Sequence, residues 1–245
     1  MRTVVLLAAL SLGCAGSAAQ APPEAETVVL LHGLARTSRS MEPLETRLTE
    51  AGYRVVNLDY PSRDEPPEDL GDQLRAQLAA CCGEEPRPVH FVTHSLGGIL
   101  VRLLAEKPEL LPVEIGRVVM LSPPNQGSEV VDTLGDSAWF EAVMGPTGQE
   151  LGTEGDSLPN RLGPVSFELG VITGSGSIEP YLSWMIPGED DGKVAVERAK
   201  VEGMKDFLVV PVSHPFIMAD ETVGDQVASF LRRGRFEHAE SSPPE

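Results

Sequence analysis

At 245 residues the chain can bury the core of a single α/β domain, and its 41% hydrophobic content is globular, with 24 Gly and 21 Pro implying many turns. A formal net charge of −18 at pH 7 argues against a nucleic-acid partner and against electrostatic docking on anionic lipid, since both present negative charge of their own. Three cysteines make no disulfide framework: apart from Cys14 there are only the neighbours Cys81 and Cys82, which seldom bridge each other and are expected to be free thiols.

The amino terminus reads as an export signal. Met1-Arg2-Thr3 is a short positive start, and Val4 to Leu12 is an apolar stretch too brief to span a membrane. Two processing routes compete. Ser17-Ala18-Ala19 suits cleavage before Gln20, so that residues 1–19 would be removed. Leu10-Ser11-Leu12-Gly13-Cys14 resembles a lipoprotein box, in which residues 1–13 would be removed and Cys14 would carry a lipid anchor. Either route exports the chain, to a bacterial cell envelope (periplasmic or lipid-anchored) or beyond it.

After a Pro/Glu/Ala linker, strand and helix signals alternate. Thr27 to Leu31 is an apolar run suited to a strand buried on both faces, closed by a His32-Gly33 turn. Met41, Leu44 and Leu48 recur at helical spacing within Ser40 to Ala51, and Gly52 stands where a helix ends. A strand over Tyr53 to Leu58 follows, then a helix over Glu68 to Cys81 with Leu70, Leu74 and Leu78 on one stripe. Val89 to Thr93 is another buried strand, Ile99 to Ala105 a helix too apolar to lie on the surface, and Val118 to Leu121 a fourth strand. Such alternation is what a mostly parallel sheet flanked by helices produces, because parallel strands need long crossovers. From 123 to 164 the pattern breaks into Gly, Pro and short apolar pieces, an insertion of the kind that forms a lid or binding segment. Val165 to Thr173 and Phe207 to Val212 are the last strands and Val223 to Leu231 the last helix. The domain is expected to span 27–233, with a flexible tail over 234–245.

Chemistry concentrates at Thr93-His94-Ser95-Leu96-Gly97, which lies between a strand and a helix. This is the setting in which a strained turn lifts a serine hydroxyl above a sheet edge. A serine needs a base to take its proton. His94 is adjacent to Ser95 and should point away, His90 lies inside a strand, His32 belongs to the first turn and His238 to the tail. His214 remains, just after the last strand and at the same carboxyl edge of the sheet as Ser95. The pattern requires no cofactor. Gly192-Lys193 is followed by Val194 rather than Ser or Thr, so it is no phosphate loop, and no His/Cys/Asp cluster has metal-ligand spacing.

With His32-Gly33-Leu34, His94-Ser95-Leu96-Gly97-Gly98, Ser122-Pro123-Pro124-Asn125-Gln126-Gly127-Ser128, Asp190-Asp191-Gly192 and Ser213-His214 in view, the chain resembles the α/β-hydrolase superfamily, and within it bacterial lipase- and esterase-like members. The resemblance covers nearly the whole chain after the export signal; Thr93 departs from it, standing where the common pattern has Gly. It implies a triad in the order Ser, Asp or Glu, His, hence Ser95, Asp191 and His214, with Asp190 as the competing acid. It also implies an oxyanion hole made by the backbone N–H groups of Leu34 and Leu96. The implied reaction is hydrolysis of a carboxylic ester or lipid acyl bond, on a small-molecule ester or lipid substrate. Transfer of the acyl group by an acyltransferase or thioesterase, and a non-catalytic envelope binding protein of the same fold, are the alternatives. Trp139, Phe140 and Met144 are candidates for an apolar substrate-binding wall, and Tyr181, Trp184 and Met185 for a second; core packing accounts for either group equally well.

Overall fold

The computed structural model describes residues 25–84, 87–135 and 137–238, the Trp139 side chain excepted. The predicted export signal, both processing sites and Cys14 lie outside the described residues. Six strands, β1 (Thr27–Leu31), β2 (Arg54–Leu58), β3 (Val89–His94), β4 (Ile115–Leu121), β5 (Leu169–Gly174) and β6 (Asp206–Val210), form one sheet in the order β2-β1-β3-β4-β5-β6. Every pairing in it is parallel. β1, β3 and β5 are buried along their whole length, as their apolar runs require, while β2 at one edge is half-buried throughout.

Alternation along each strand feeds two apolar layers. Val29 and Leu31 of β1 join Phe91, Met120 and Val171 beneath α2 (Pro67–Cys82) and α3 (Leu96–Ala105). Val28 and Leu30 join Val92, Val119 and Ile172 on the other face, under α1 (Glu42–Glu50) and the carboxyl-terminal helix (Glu221–Arg233). The segment from 123 to 164, which joins β4 to β5, has no strand among its described residues. It carries three helices that broken periodicity conceals: α4 (Glu129–Leu134), α5 (Ala138–Gln149) and α6 (Leu158–Arg161). α5 kinks at Gly145, with φ 66°, just before Pro146. A further short helix, α7 (Pro180–Ser183), follows β5, which makes the carboxyl-terminal helix α8.

Three features differ from the sequence expectations. Cys81 and Cys82 are bonded to each other. They occupy the last turn of α2, beyond which the chain leaves the helix at Gly83, so closing the small ring there disturbs no following turn. The domain also does not stop at 233: Phe236 is buried against Phe230, and the His238 Nε2 lies 2.8 Å from Asp206 Oδ1. Finally, β5 starts at Leu169 rather than Val165, because the Val165 N–H turns away to the Glu202 carbonyl.

Arg102 ties the segment between β4 and β5 to the core. It stands on α3 among leucines, is 4% exposed, and donates to the carbonyls of Asn125 (2.8 Å), Pro159 (3.1 Å) and Leu162 (2.8 Å). Burial pushes its pKa down to about 10, with the nearby Glu106 acting the other way, so it remains a cation at neutral pH. Arg102→Met would strand these carbonyls, and we expect a loss of about 3 kcal/mol, read as a lower urea midpoint at constant m-value. An unchanged midpoint would show that the carbonyls find other donors.

Burial also depresses the pKa of His32, His90 and His94. Rings held neutral in the folded chain bind protons more readily once it unfolds, near the unperturbed value of about 6.5. Their contribution is therefore complete above that pH and is lost as pH falls toward the lower folded-state values. We expect the urea midpoint to drop between about pH 7.5 and pH 5.5. Relief of self-repulsion on so acidic a chain predicts the opposite sign, so a rising midpoint would refute the histidine account.

Candidate active site

Ser95 stands between the end of β3 and the start of α3 at φ 51° and ψ −119°, outside the region that L-residues favour. Its N–H is held by the Leu121 carbonyl of β4 at 2.9 Å. The turn closes only because small residues surround it. A Cβ on Gly97 would stand 2.7 Å from the Leu31 carbonyl oxygen, and one on Gly33 would stand 2.7 Å from His94 Nδ1. Thr93, where the common pattern has Gly, lies within β3, fully buried, and its hydroxyl finds no hydrogen-bond partner among the described residues. Among the described residues two other non-glycine residues have positive φ, Ala35 after β1 and Ser122 after β4. All three strained residues follow the carboxyl ends of neighbouring strands, the edge where backbone strain serves a site.

His214 lies in the loop after β6, and its Nδ1 is 2.8 Å from Asp191 Oδ2. Asp191 is fully buried in the loop between β5 and β6. Its Oδ1 accepts the N–H groups of Lys193 (3.0 Å) and Val194 (2.9 Å), and its carbonyl accepts the His214 N–H at 2.9 Å. Burial alone would raise the carboxyl pKa. The charge and hydrogen bond of the His214 ring, with smaller help from Ser122 and the Val194 N–H, together outweigh it, and the pKa falls below the ordinary value. The Ser122 hydroxyl makes no hydrogen bond of regular geometry, so its contribution is one of proximity. Asp190 faces elsewhere, accepting the Ser183 hydroxyl at 2.6 Å and the Gly192 N–H at 2.7 Å.

Ser95 and His214 line one cavity of about 290 Å³ with Leu34, Phe140 and Met144. No hydrogen bond joins Ser95 to His214 among the described residues, a looseness common in unliganded sites whose contacts tighten around substrate. Leu96 is the first residue of α3, so its N–H has no acceptor within the helix. The Leu34 N–H likewise has no acceptor among the described residues.

His94 departs from expectation. Rather than pointing away, its ring lines the cavity 4.7 Å from the His214 ring and places Nε2 3.1 Å from the His214 carbonyl oxygen, bracing that loop. His32 is structural, stacked on Tyr60 at 4.1 Å with its Nδ1 2.9 Å from the Gly33 carbonyl oxygen. Tyr181 and Trp184 are exposed, 70% and 84%, and neither they nor Met185 line the cavity. Leu151, Val130, Val131 and Val194 complete the apolar wall, and two cations, Arg36 and Lys193, also face it. Sequence reasoning passed over both cations, because a charged residue in a turn reads as solvated. Among the described residues no group of three or more His, Cys, Asp or Glu is placed to hold a metal ion.

Comparison with solved structures gives the same architecture. The lipase BlEst2 of Bacillus licheniformis, in its mature form, superposes with a TM-score of 0.70 at 21% identity, covering 88% of this chain and 94% of that one. Phospholipase PlaB of Legionella pneumophila superposes with a TM-score of 0.62 at 17% identity over 77% of this chain and 53% of its own. A metagenomic carboxyl esterase gives 0.61 at 17% identity over 80% and 66%. At such identities the likeness is one of fold. No curated protein sequence matches. The model of the alpha/beta hydrolase family matches residues 28–195, more than half of the chain, and the chain belongs to that family.

Proposed function

We propose that this protein is an exported serine hydrolase that cleaves a carboxylic ester by a two-step acyl transfer through Ser95, His214 and Asp191. The observation that carries the reading is the buried Asp191–His214 hydrogen bond of 2.8 Å, opening on the cavity that also holds the strained Ser95. The Ser95 hydroxyl attacks the ester carbonyl carbon while His214 Nε2 takes its proton, and the Leu34 and Leu96 N–H groups receive the oxyanion. Collapse breaks the carbon–oxygen bond, and the imidazolium returns the proton to the departing alcohol. Water then attacks the acyl-enzyme, giving its proton to the same ring, and the acid leaves with Ser95 restored. Asp191 holds the ring so that Nε2 faces the reaction and stabilises the imidazolium. Structural likeness to the lipase BlEst2 and to a carboxyl esterase supports an ester as substrate.

A fluorophosphonate should label Ser95 in the wild type and fail to label Ser95→Ala or His214→Ala, with turnover of a nitrophenyl ester falling by roughly four to six orders of magnitude. A folded wild type that stays unlabelled refutes the mechanism. Asp191→Asn should cost roughly four orders of magnitude, as in other triads that lose the orienting carboxylate, and Asp190→Asn far less; equal losses would displace Asp191 from its role. Met144 and Phe140 face the cavity from α5, so Met144→Trp should shift the acyl optimum toward shorter chains across a series of nitrophenyl esters. An unmoved optimum would place the acyl chain elsewhere.

A further inference from the structure

Acidic residues outnumber basic ones 37 to 19 in this chain, yet the cavity above Ser95 reverses the balance. Among the described residues two cations, Arg36 and Lys193, line it and no carboxylate does. Lys193 is neutralised by Glu179, at 3.0 Å from Nζ. Arg36 is not: among the described residues its guanidinium makes no hydrogen bond and no ion pair, although the field of Glu179 reaches it. A half-buried guanidinium stays charged, and a fork of five donors left open toward an apolar cavity is a site built for an oxyanion.

The backbone around Arg36 is held rather than loose. Ala35 is fixed at φ 57°, with its N–H on the buried Ser62 hydroxyl at 3.1 Å. The Arg36 N–H closes a turn onto the Gly33 carbonyl at 3.3 Å, and the Ser38 N–H is taken by Asp59 at 2.7 Å. Arg36 therefore leaves the chain two residues beyond Leu34, from a pinned loop beside the nucleophile. The positive field also reaches His94. Acids elsewhere on the surface are screened over a Debye length of about 8 Å in physiological salt, so the local cation decides what the cavity attracts.

We propose that Arg36 determines the specificity of this site, and that the ester it takes pairs an apolar acyl chain with one anionic group, a carboxylate or a phosphate oxyanion, bound by the guanidinium. The proposal rests on the Ser95 hydrolase reading for its reaction, but the anion site can be tested without it. Glu179, which offsets the cationic pair, weakens the same preference.

The experiment compares kcat/KM for matched esters. Mono-nitrophenyl glutarate is set against nitrophenyl pentanoate for the carboxylate, and a lysophosphatidylglycerol against the monoacylglycerol of the same acyl chain for the phosphate. The wild type should favour the charged member of at least one pair by about tenfold or more, and the pair concerned identifies the group. Arg36→Gln should lower that ratio by about tenfold, chiefly through KM; Arg36→Lys should recover part of it, and Glu179→Gln should raise it. A merely structural Arg36 would lower both members of each pair together. Indifference of the wild type to charge in both pairs, or the same ratio in Arg36→Gln, overturns the proposal. Calorimetry with Ser95→Ala protein, titrated with monomethyl glutarate and with lysophosphatidylglycerol, reads the site without turnover. Binding that weakens in Ser95→Ala/Arg36→Gln supports the anion site even if no ester is hydrolysed, whereas loss of hydrolysis and of Ser95 labelling alone counts against the hydrolase reading.

Discussion

The fully buried carboxylate of Asp191 is the constraint around which the rest of the candidate site is arranged. An isolated carboxylate in such a place would be driven to its neutral form. Here two successive backbone N–H groups hold one oxygen and the His214 ring faces the other, so the charged form is the stable one. The N–H donors lie two and three positions further on in the loop between β5 and β6, so the turn itself holds the charge, while the His214 ring ties it to the loop after β6. The Asp191 carbonyl fixes the backbone of His214. One acid thus sets both where the imidazole sits and which of its nitrogens faces the cavity. His94, the residue before the candidate nucleophile, secures the His214 loop after β6 from the other side.

A second constraint links the cavity wall to the core. α4 and α5 supply Val130, Val131, Phe140 and Met144 to the cavity, and Leu151, Leu158 and Leu162 of the same segment join the apolar layer that includes Leu31, Phe91 and Met120. Arg102 adds a polar tie, gathering carbonyls at 125, 159 and 162 from a position inside α3. Because α3 begins at Leu96, the helix that follows the candidate nucleophile also anchors the wall that would contact an acyl chain. The Thr147 hydroxyl adds a tie to the Glu65 carbonyl at 2.6 Å, which joins α5 to the loop after β2.

The sheet was legible in the sequence because strands buried on both faces read as unbroken apolar runs. Val89 to Thr93 and Thr27 to Leu31 fall within a residue of the observed strands. The 165–168 stretch was misread because apolar residues continue past the point where pairing with β4 begins, at Leu169 opposite Val118. Helices in the 123–164 segment were not legible, since pieces of four to twelve residues interrupted by Gly and Pro leave too few turns for periodicity to register. Among the site residues, Ser95 and His214 could be singled out by position along the chain. Asp190 and Asp191 could not be separated that way, because which neighbour turns inward depends on a loop whose geometry is tertiary. Arg36 left no trace in the sequence, as the absence of an ion-pair partner is a property of the assembled fold. The bridge between Cys81 and Cys82 was missed for a similar reason, since the argument from adjacency took no account of where α2 ends.

Strain and charge act together at this edge of the sheet. Ala35, Ser95 and Ser122, the three described non-glycine residues at positive φ, follow β1, β3 and β4, which are consecutive in the sheet. Residues in such conformations cost of order 1–3 kcal/mol each and persist only where surrounding contacts over-determine them. At Ser95 the neighbouring strand supplies that contact through the Leu121 carbonyl, and at Ala35 the buried Ser62 hydroxyl does so. The strain at Ala35 would serve no purpose if Arg36 were an ordinary solvated residue, because an unstrained turn would expose it equally well. It is accounted for if the loop must keep the Leu34 N–H and the Arg36 guanidinium in one fixed relation to Ser95, one aimed at the charge that develops during reaction and the other at a charge the substrate already carries.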